Sequence, residues 1–325
     1  MNFYRKISLI LLICLSSVVM SATAQTVTKT PPPLTTIPKA TPETNANQAK
    51  SFLDELEKRL SKITLRDGTK LTVERFCPQG NIVTRRILSE YGAIFVGDGE
   101  YRALCYFTDE NHLQTVQRDI LAGSEPKIIG GVRIELQPAA MDALLGAIEE
   151  ARRQGLAITP RGGSMAARRS FADTVGLWSS RVNPGLNHWV RRGRLTAAEA
   201  RQIRNLPLMQ QVKVILELED QKGIYFSTDF SKSILYSVAM PGASQHNWML
   251  ALDVAQFGNP RVREILARHG WFQTVYSDLP HFTYLGVKES NPVVRESRLR
   301  SLGLRSKSIG NQVFWIPRMD AGQQQ

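Results

Sequence analysis

An apolar run at residues 7–20 sets the terms on which the rest of this chain folds. Arg5 and Lys6 precede it, and Ala22-Thr23-Ala24 follows. A short basic region, an apolar stretch and a small-x-small tripeptide are the marks of a cleaved export signal, which leaves Gln25 as the new N-terminus. The run is shorter than the about 20 apolar residues that a membrane-spanning helix needs. Ile13 before Cys14 is not the small residue that a lipid-anchor site requires. The expectation is an exported chain, periplasmic or extracellular and associated with the cell wall, with no stable membrane insertion once residues 1–24 are removed.

Export also fixes the redox setting. The chain has 3 cysteines, and loss of the signal leaves Cys77 and Cys105. Two cysteines in an oxidising compartment pair by default. Residues 25–48 are rich in Pro, Thr, Ala and Asn, include Pro31-Pro32-Pro33, and show no apolar periodicity. Such a composition buries too little surface to offset chain entropy, so it reads as a disordered linker. Residues 49–125, which hold both cysteines, read as an N-terminal α+β subdomain. Residues 126–319 read as the main domain and 320–325 as a disordered tail.

Lys and Arg number 41 against 29 Asp and Glu, a formal net charge of +12. A basic exported chain suits an anionic envelope polymer or membrane surface. The export signal argues against nucleic acid as a partner, and the bases occur in pairs such as Arg168-Arg169 and Arg191-Arg192 rather than in a stripe. Most of them read as a solvated surface.

Within the folded part, Phe52, Leu53, Leu56, Leu60 and Ile63 recur at helical spacing, which predicts a helix over 49–63. Further helices are predicted over 82–91, from an Asp109 cap to about 121, from Pro138 to 153 with Gly155 beyond its end, and over 170–182. Thr196-Ala197-Ala198-Glu199 is a capping box, and Asn259-Pro260 opens a helix ending near His269-Gly270. Strands are expected at 71–76, 93–96, 101–107, 132–136, 156–159, 272–275, 281–287 and 312–316. No regular β-α-β alternation and no repeat is visible. The fold class is therefore α+β, with helices packed on a largely antiparallel sheet.

The chemistry concentrates late in the chain. A small-residue turn, Pro241-Gly242-Ala243-Ser244, delivers His246, and Asp253 ends the apolar run seven positions later. Residues seven apart on a strand face opposite sides, so a bend between them is required if both are to reach one ion. Asp278-Leu279-Pro280-His281 offers a further imidazole and a further carboxylate. Two imidazoles and one carboxylate leave a fourth tetrahedral position for water, the layout of a catalytic zinc site.

Together these segments resemble the zinc D-alanyl-D-alanine carboxypeptidases, a group that includes vancomycin-resistance D,D-carboxypeptidases and D-Ala-D-Ala dipeptidases. The shared pattern is Ser-x-His, an Asp seven residues after the His, and an acidic residue three before a second His. It covers mainly 155–288, and most specifically 241–287. The resemblance implies an α+β fold, one zinc ion, and hydrolysis of peptidoglycan stem peptides. It implies His246, Asp253 and His281 as the metal ligands and Asp278 as the general base, where the family usually has Glu. It implies an arginine after a short strand that holds the substrate and the developing oxyanion. Arg161 is the choice, with Arg168 and Arg169 close by; the family's aromatic before that arginine is Pro160 here.

Ser244 is expected to support His246 or its loop. His112, His188 and His269 are expected to have no catalytic part, and Trp248, Trp271, Phe272, Phe282 and Tyr284 to serve the core before any groove. The competing reading is a cell-wall-peptide binding module on the same fold, weak or inactive as a catalyst, and Asp in place of Glu at 278 favours it. Carboxypeptidase and endopeptidase cleavage both remain open, as does the oligomeric state.

Overall fold

The computed structural model describes residues 51–319; the expected signal, the linker and the tail lie outside them. Helix starts follow local capping chemistry. Asn81, Asp109, Ser170, Thr196 and Asn259 each stand just before a helix and accept one of its first backbone N–H groups. The helices are α1 (Phe52–Leu60), α2 (Val73–Phe76), α3 (Ile82–Tyr91), α4 (Glu110–Ile120) and α5 (Pro138–Arg153), then α6 (Phe171–Arg191), α7 (Ala197–Arg204), α8 (Leu208–Lys222), α9 (Pro260–Arg268) and α10 (Pro292–Ser301). None of them is long and apolar enough to cross a membrane.

The strands are short: β1 (Lys127–Ile129), β2 (Val132–Ile134), β3 (Ala251–Asp253), β4 (Trp271–Phe272), β5 (His281–Tyr284), β6 (Leu304–Ile309) and β7 (Gln312–Pro317). They form three antiparallel sheets, β1-β2, β3-β5-β4 and β6-β7. The α+β class holds, but the sheet is divided into small pieces and helices make most of the mass. Trp248, Trp271, Phe272, Phe282 and Tyr284 are all buried in the core. That core is continuous: residues of α1, α3 and the segment after it belong to the same hydrophobic cluster as α5, α6, α9 and the central sheet.

Several elements differ from expectation for identifiable reasons. Residues 71–76 form no strand; Thr72 caps the single turn of α2, and the Glu57 carboxylate accepts from the Val73 N–H at 2.6 Å. Residues 93–96 lie in a buried 3-10 turn that runs straight on from α3. Residues 101–107 are irregular, tied by a disulfide between Cys77 and Cys105 with Cα atoms 5.6 Å apart. A bridge closing a loop of separation 28 destabilises the unfolded chain by about 3.5 kcal/mol. The strand expected at 156–159 is reduced to one bridge between Pro160 and Val254, since proline has no N–H with which to extend a ladder. Helix α6 does not stop near 182 but continues through Pro184 to Arg191.

Helices α8 and α10 and strands β1, β3 and β6 have no counterpart in the expected elements. Yet α10 begins with the same Asn-Pro pair as α9: Asn291 accepts from the Val293 and Val294 N–H groups. Helix α8 buries Val212, Ile215, Leu216, Leu218 and Glu219 on one side, a helical spacing blurred by its β-branched residues.

Candidate metal centre

Strand register brings the first two donors together. β3 and β5 pair with Asp253 opposite His281, and directly opposed residues carry their side chains on one face. Asp253 Oδ1 lies 3.5 Å from His281 Nδ1. The third donor needs the bend anticipated between His246 and Asp253. The N–H groups of Asn247, Trp248 and Met249 donate to the carbonyls of Ser244, Gln245 and His246, and Met249 takes a left-handed φ of 54°. These tight turns carry His246 back over the end of β3. Its Nε2 lies 3.5 Å from Asp253 Oδ1 and 3.1 Å from His281 Nδ1.

Gly242 makes the approach to this turn possible. Its φ is +73°, and a Cβ there would sit 2.0 Å from the Phe107 carbonyl oxygen. The Phe107 N–H donates to Gly242 O at 2.9 Å, so the segment after α3 clasps the start of the metal loop.

The three donor atoms fit a tetrahedral ion. Nitrogen and oxygen ligands at about 2.0–2.1 Å from zinc lie about 3.3 Å from one another, and the observed separations of 3.1 and 3.5 Å bracket that value. The tautomers follow from the partners. His246 Nδ1 is 2.8 Å from Ala167 O; a carbonyl only accepts, so Nδ1 carries the proton and Nε2 presents a lone pair. His281 Nε2 is 2.8 Å from Gln245 Oε1, which leaves Nδ1 as its lone-pair atom. The Gln245 amide is held in that orientation because its Nε2 donates to Tyr91 O at 2.9 Å. Two lone pairs and a carboxylate oxygen thus converge on one point, an arrangement that repels itself unless a cation sits among them.

The surroundings keep all this in the ligating state. Arg169 Nη2 donates to the other Asp253 oxygen at 2.8 Å. Burial alone would raise the Asp253 carboxyl, but His246 and His281 overcome it and hold the group well below the usual carboxylate range. His246 is pushed down to about 4, by burial first and then by the charge of Arg169. A deprotonated carboxylate and a neutral imidazole are the forms that bind metal.

Above the three donors lies a cavity of ≈ 230 Å³, whose walls include Asp278, Arg169, Arg181, Tyr91 and Tyr236. Asp278 opens the turn that leads into β5, with the His281 N–H on its carbonyl at 3.2 Å. Asp278 is exposed at the edge of the cavity, and the protein packed around it raises its pKa through lost hydration. His281 opposes that rise and Asp253 adds to it.

The three arginines differ. Arg161 is outside the cavity lining: its N–H donates to Asp253 O at 2.7 Å and its guanidinium lies 5.2 Å from the centre of the Phe257 ring. Arg168 is held by Gln117 and Glu135, each at 2.8 Å. Only Arg169 of the three both lines the cavity and touches a metal donor. Ser244 accepts from the His246 N–H at 3.3 Å. His269 bonds Glu150 at 2.9 Å, His188 stacks on Phe230, and His112 meets Phe107 edge-on; none is near the three donors.

Sequence reasoning missed Gln245 and the Ala167 carbonyl. Gln245 sits inside the recognised motif, but only its burial and its partners on β5 and α3 reveal its part. A backbone carbonyl leaves no side-chain signal at all.

No protein-family model matches the chain, and no curated protein matches it in sequence. Among solved structures, VanYB in complex with D-Alanine-D-Alanine is similar at 17% identity and a TM-score of 0.31, over 53% of this chain and 83% of that one.

Two outcomes follow from this geometry. Replacing Gln245 with Leu frees the His281 ring and is expected to weaken zinc binding about 10–100-fold in a chelator competition; unchanged affinity would contradict the assigned tautomer. The metal-free protein should also lose stability in mild acid. The unfolded chain protonates His246 near 6.5 while the folded chain resists until about 4. Stability is therefore complete above 6.5 and falls as the pH drops toward 4, by about 2 kcal/mol at pH 5. Urea unfolding of chelator-treated protein measures this, and a flat profile from pH 7.5 to 5 would count against a neutral buried His246.

Proposed function

We propose that this chain is an exported zinc peptidase that hydrolyses peptidoglycan stem peptides in the manner of a D-Ala-D-Ala carboxypeptidase. The observation that carries the reading is the convergence of His246 Nε2, His281 Nδ1 and Asp253 Oδ1 at tetrahedral spacing beneath an open cavity that also holds a carboxylate. The sequence pattern around these residues supports the choice of substrate, and the basic charge suits an anionic wall.

His246, Asp253 and His281 would hold one zinc ion, whose chemistry is to polarise a peptide carbonyl and to acidify water to a pKa of about 7. Asp278 is the proton carrier: its carboxyl, whose pKa is raised by lost hydration, takes a proton from the attacking water and passes it to the leaving amine. Arg169 keeps Asp253 turned toward the two imidazoles. Of the candidate arginines, Arg169 shares the cavity wall with Asp278, whereas Arg161 lies outside that wall. We assign oxyanion stabilisation to Arg169, on the cavity wall, in place of Arg161. Residues 49–125 serve the site from behind, through the Tyr91 carbonyl on Gln245 and the clasp between Phe107 and Gly242.

The zinc-loaded protein is expected to release D-Ala from a peptide ending in D-Ala-D-Ala, to lose this activity to a chelator and to regain it with zinc. Asp278→Ala should lower kcat about 10²–10⁴-fold with little change in KM. Tight binding of the same peptide without release of product would replace the enzyme with the non-catalytic wall-peptide module.

A further inference from the structure

A second cavity, of ≈ 580 Å³, lies against the first and shares Tyr236 with it. Its walls are strongly basic for reasons that can be traced to the chain. Arg305 and Lys307 stand two apart on β6, so they project from one face of that strand. Lys232 comes from the segment between α8 and the metal loop. That segment is fastened by the buried Glu219 carboxylate, which accepts from Ser233 Oγ and from the N–H groups of Ile234 and Phe226. Arg86 enters from α3 and is paired with Glu90 at 3.2 Å. Among the described residues, Lys232, Arg305 and Lys307 have no carboxylate partner.

Tyrosines order these cations without neutralising them. Lys307 Nζ lies 3.8 Å from the centre of the Tyr276 ring, and Lys232 Nζ 5.6 Å from that of Tyr236. The two rings meet edge to face at 6.3 Å. Tyr236 is 41% exposed, which places a large, accessible ring at the junction of the metal cavity and the basic one. Like charges gathered around one concavity raise its potential and favour an anionic ligand.

We infer that the basic cavity is an extended subsite for the same ligand, and that this ligand is a peptide carrying carboxylates beyond the bond at the metal, with Tyr236 under the chain between them. The inference rests on the peptidase reading and sharpens it: a neutral dipeptide fills only the metal cavity, whereas an acidic peptide spans both. Arg305, Lys307 and Lys232 are then specificity-determining residues with no part in the chemical step. The shared tyrosine favours a peptide over a nucleic acid, since the adjoining metal cavity has only ≈ 230 Å³ to receive the reacting end.

The test uses the full exported chain and two dye-labelled peptides, Glu-Glu-D-Ala-D-Ala and Gln-Gln-D-Ala-D-Ala, in fluorescence anisotropy with metal removed. The acidic peptide should bind about 10-fold more tightly than the neutral one, and the preference should vanish in about 0.5 M salt. It should also vanish in the Arg305→Gln/Lys307→Gln double variant, whose exposed strand positions leave the core untouched. With zinc restored, that variant should show a raised KM for the acidic peptide and an unchanged kcat. Equal affinity for the two peptides, or a preference that survives the double substitution, overturns the subsite. Tighter binding of inorganic tripolyphosphate or a short oligothymidylate than of the acidic peptide overturns its assignment to carboxylates. The two readings fail separately. Zinc-dependent cleavage without acidic preference removes only the subsite. Acidic preference without cleavage removes only the hydrolysis.

Discussion

The pairing of Asp253 with His281 across β3 and β5 is the contact on which the site depends. A slip of one residue would turn one of the two side chains to the other face of the sheet. The register is held by what lies on that other face, where Leu252 and Phe282 oppose each other and are fully buried in the core. Burying side chains of this size stabilises the pairing by roughly 2–3 kcal/mol each. The apolar pair thus fixes the polar pair, and a sheet of very short strands positions two donors to within the tolerance of one ion.

His246 cannot be supplied by the same sheet, and the chain meets that need with turns rather than with a longer strand. The cost is backbone in the left-handed region at Met249 and a glycine at 242 that no side chain can replace without meeting Phe107. Both are offset by the surroundings. Gln245 bonds α3 on one side and β5 on the other, and Trp248 packs against Phe95 and Phe107. The disulfide closes the segment that presents Phe107. Residues remote in sequence from the three donors therefore help hold the imidazoles in the tautomers that leave Nε2 of His246 and Nδ1 of His281 free.

Much of this was legible in the sequence. The cap residues marked α4, α7 and α9, Pro138 marked the start of α5, the expectation of export predicted the bridge between Cys77 and Cys105, and the seven-residue step from His246 to Asp253 demanded a bend that the structure contains. The missing parts depend on distance rather than pattern. Nothing local distinguishes Arg169 from Arg161 or Arg168, because the difference lies in which guanidinium reaches Asp253 once α6 is docked. Gln245 reads as a spacer between two motif residues until Tyr91 and His281 are placed on either side of it. Residues 71–76 and 93–96 carry strand-like composition, yet a capping threonine and continuity with α3 decide their form.

The claim at the centre of this account is that His246, Asp253 and His281 hold one zinc ion. It is tested most directly by anomalous diffraction at the zinc edge, from crystals of the protein grown with zinc and without chelator. The account predicts a single strong peak about 2.0–2.2 Å from His246 Nε2, His281 Nδ1 and Asp253 Oδ1. A density map without that peak, or with zinc bound by other residues while these three stay close together, would contradict it.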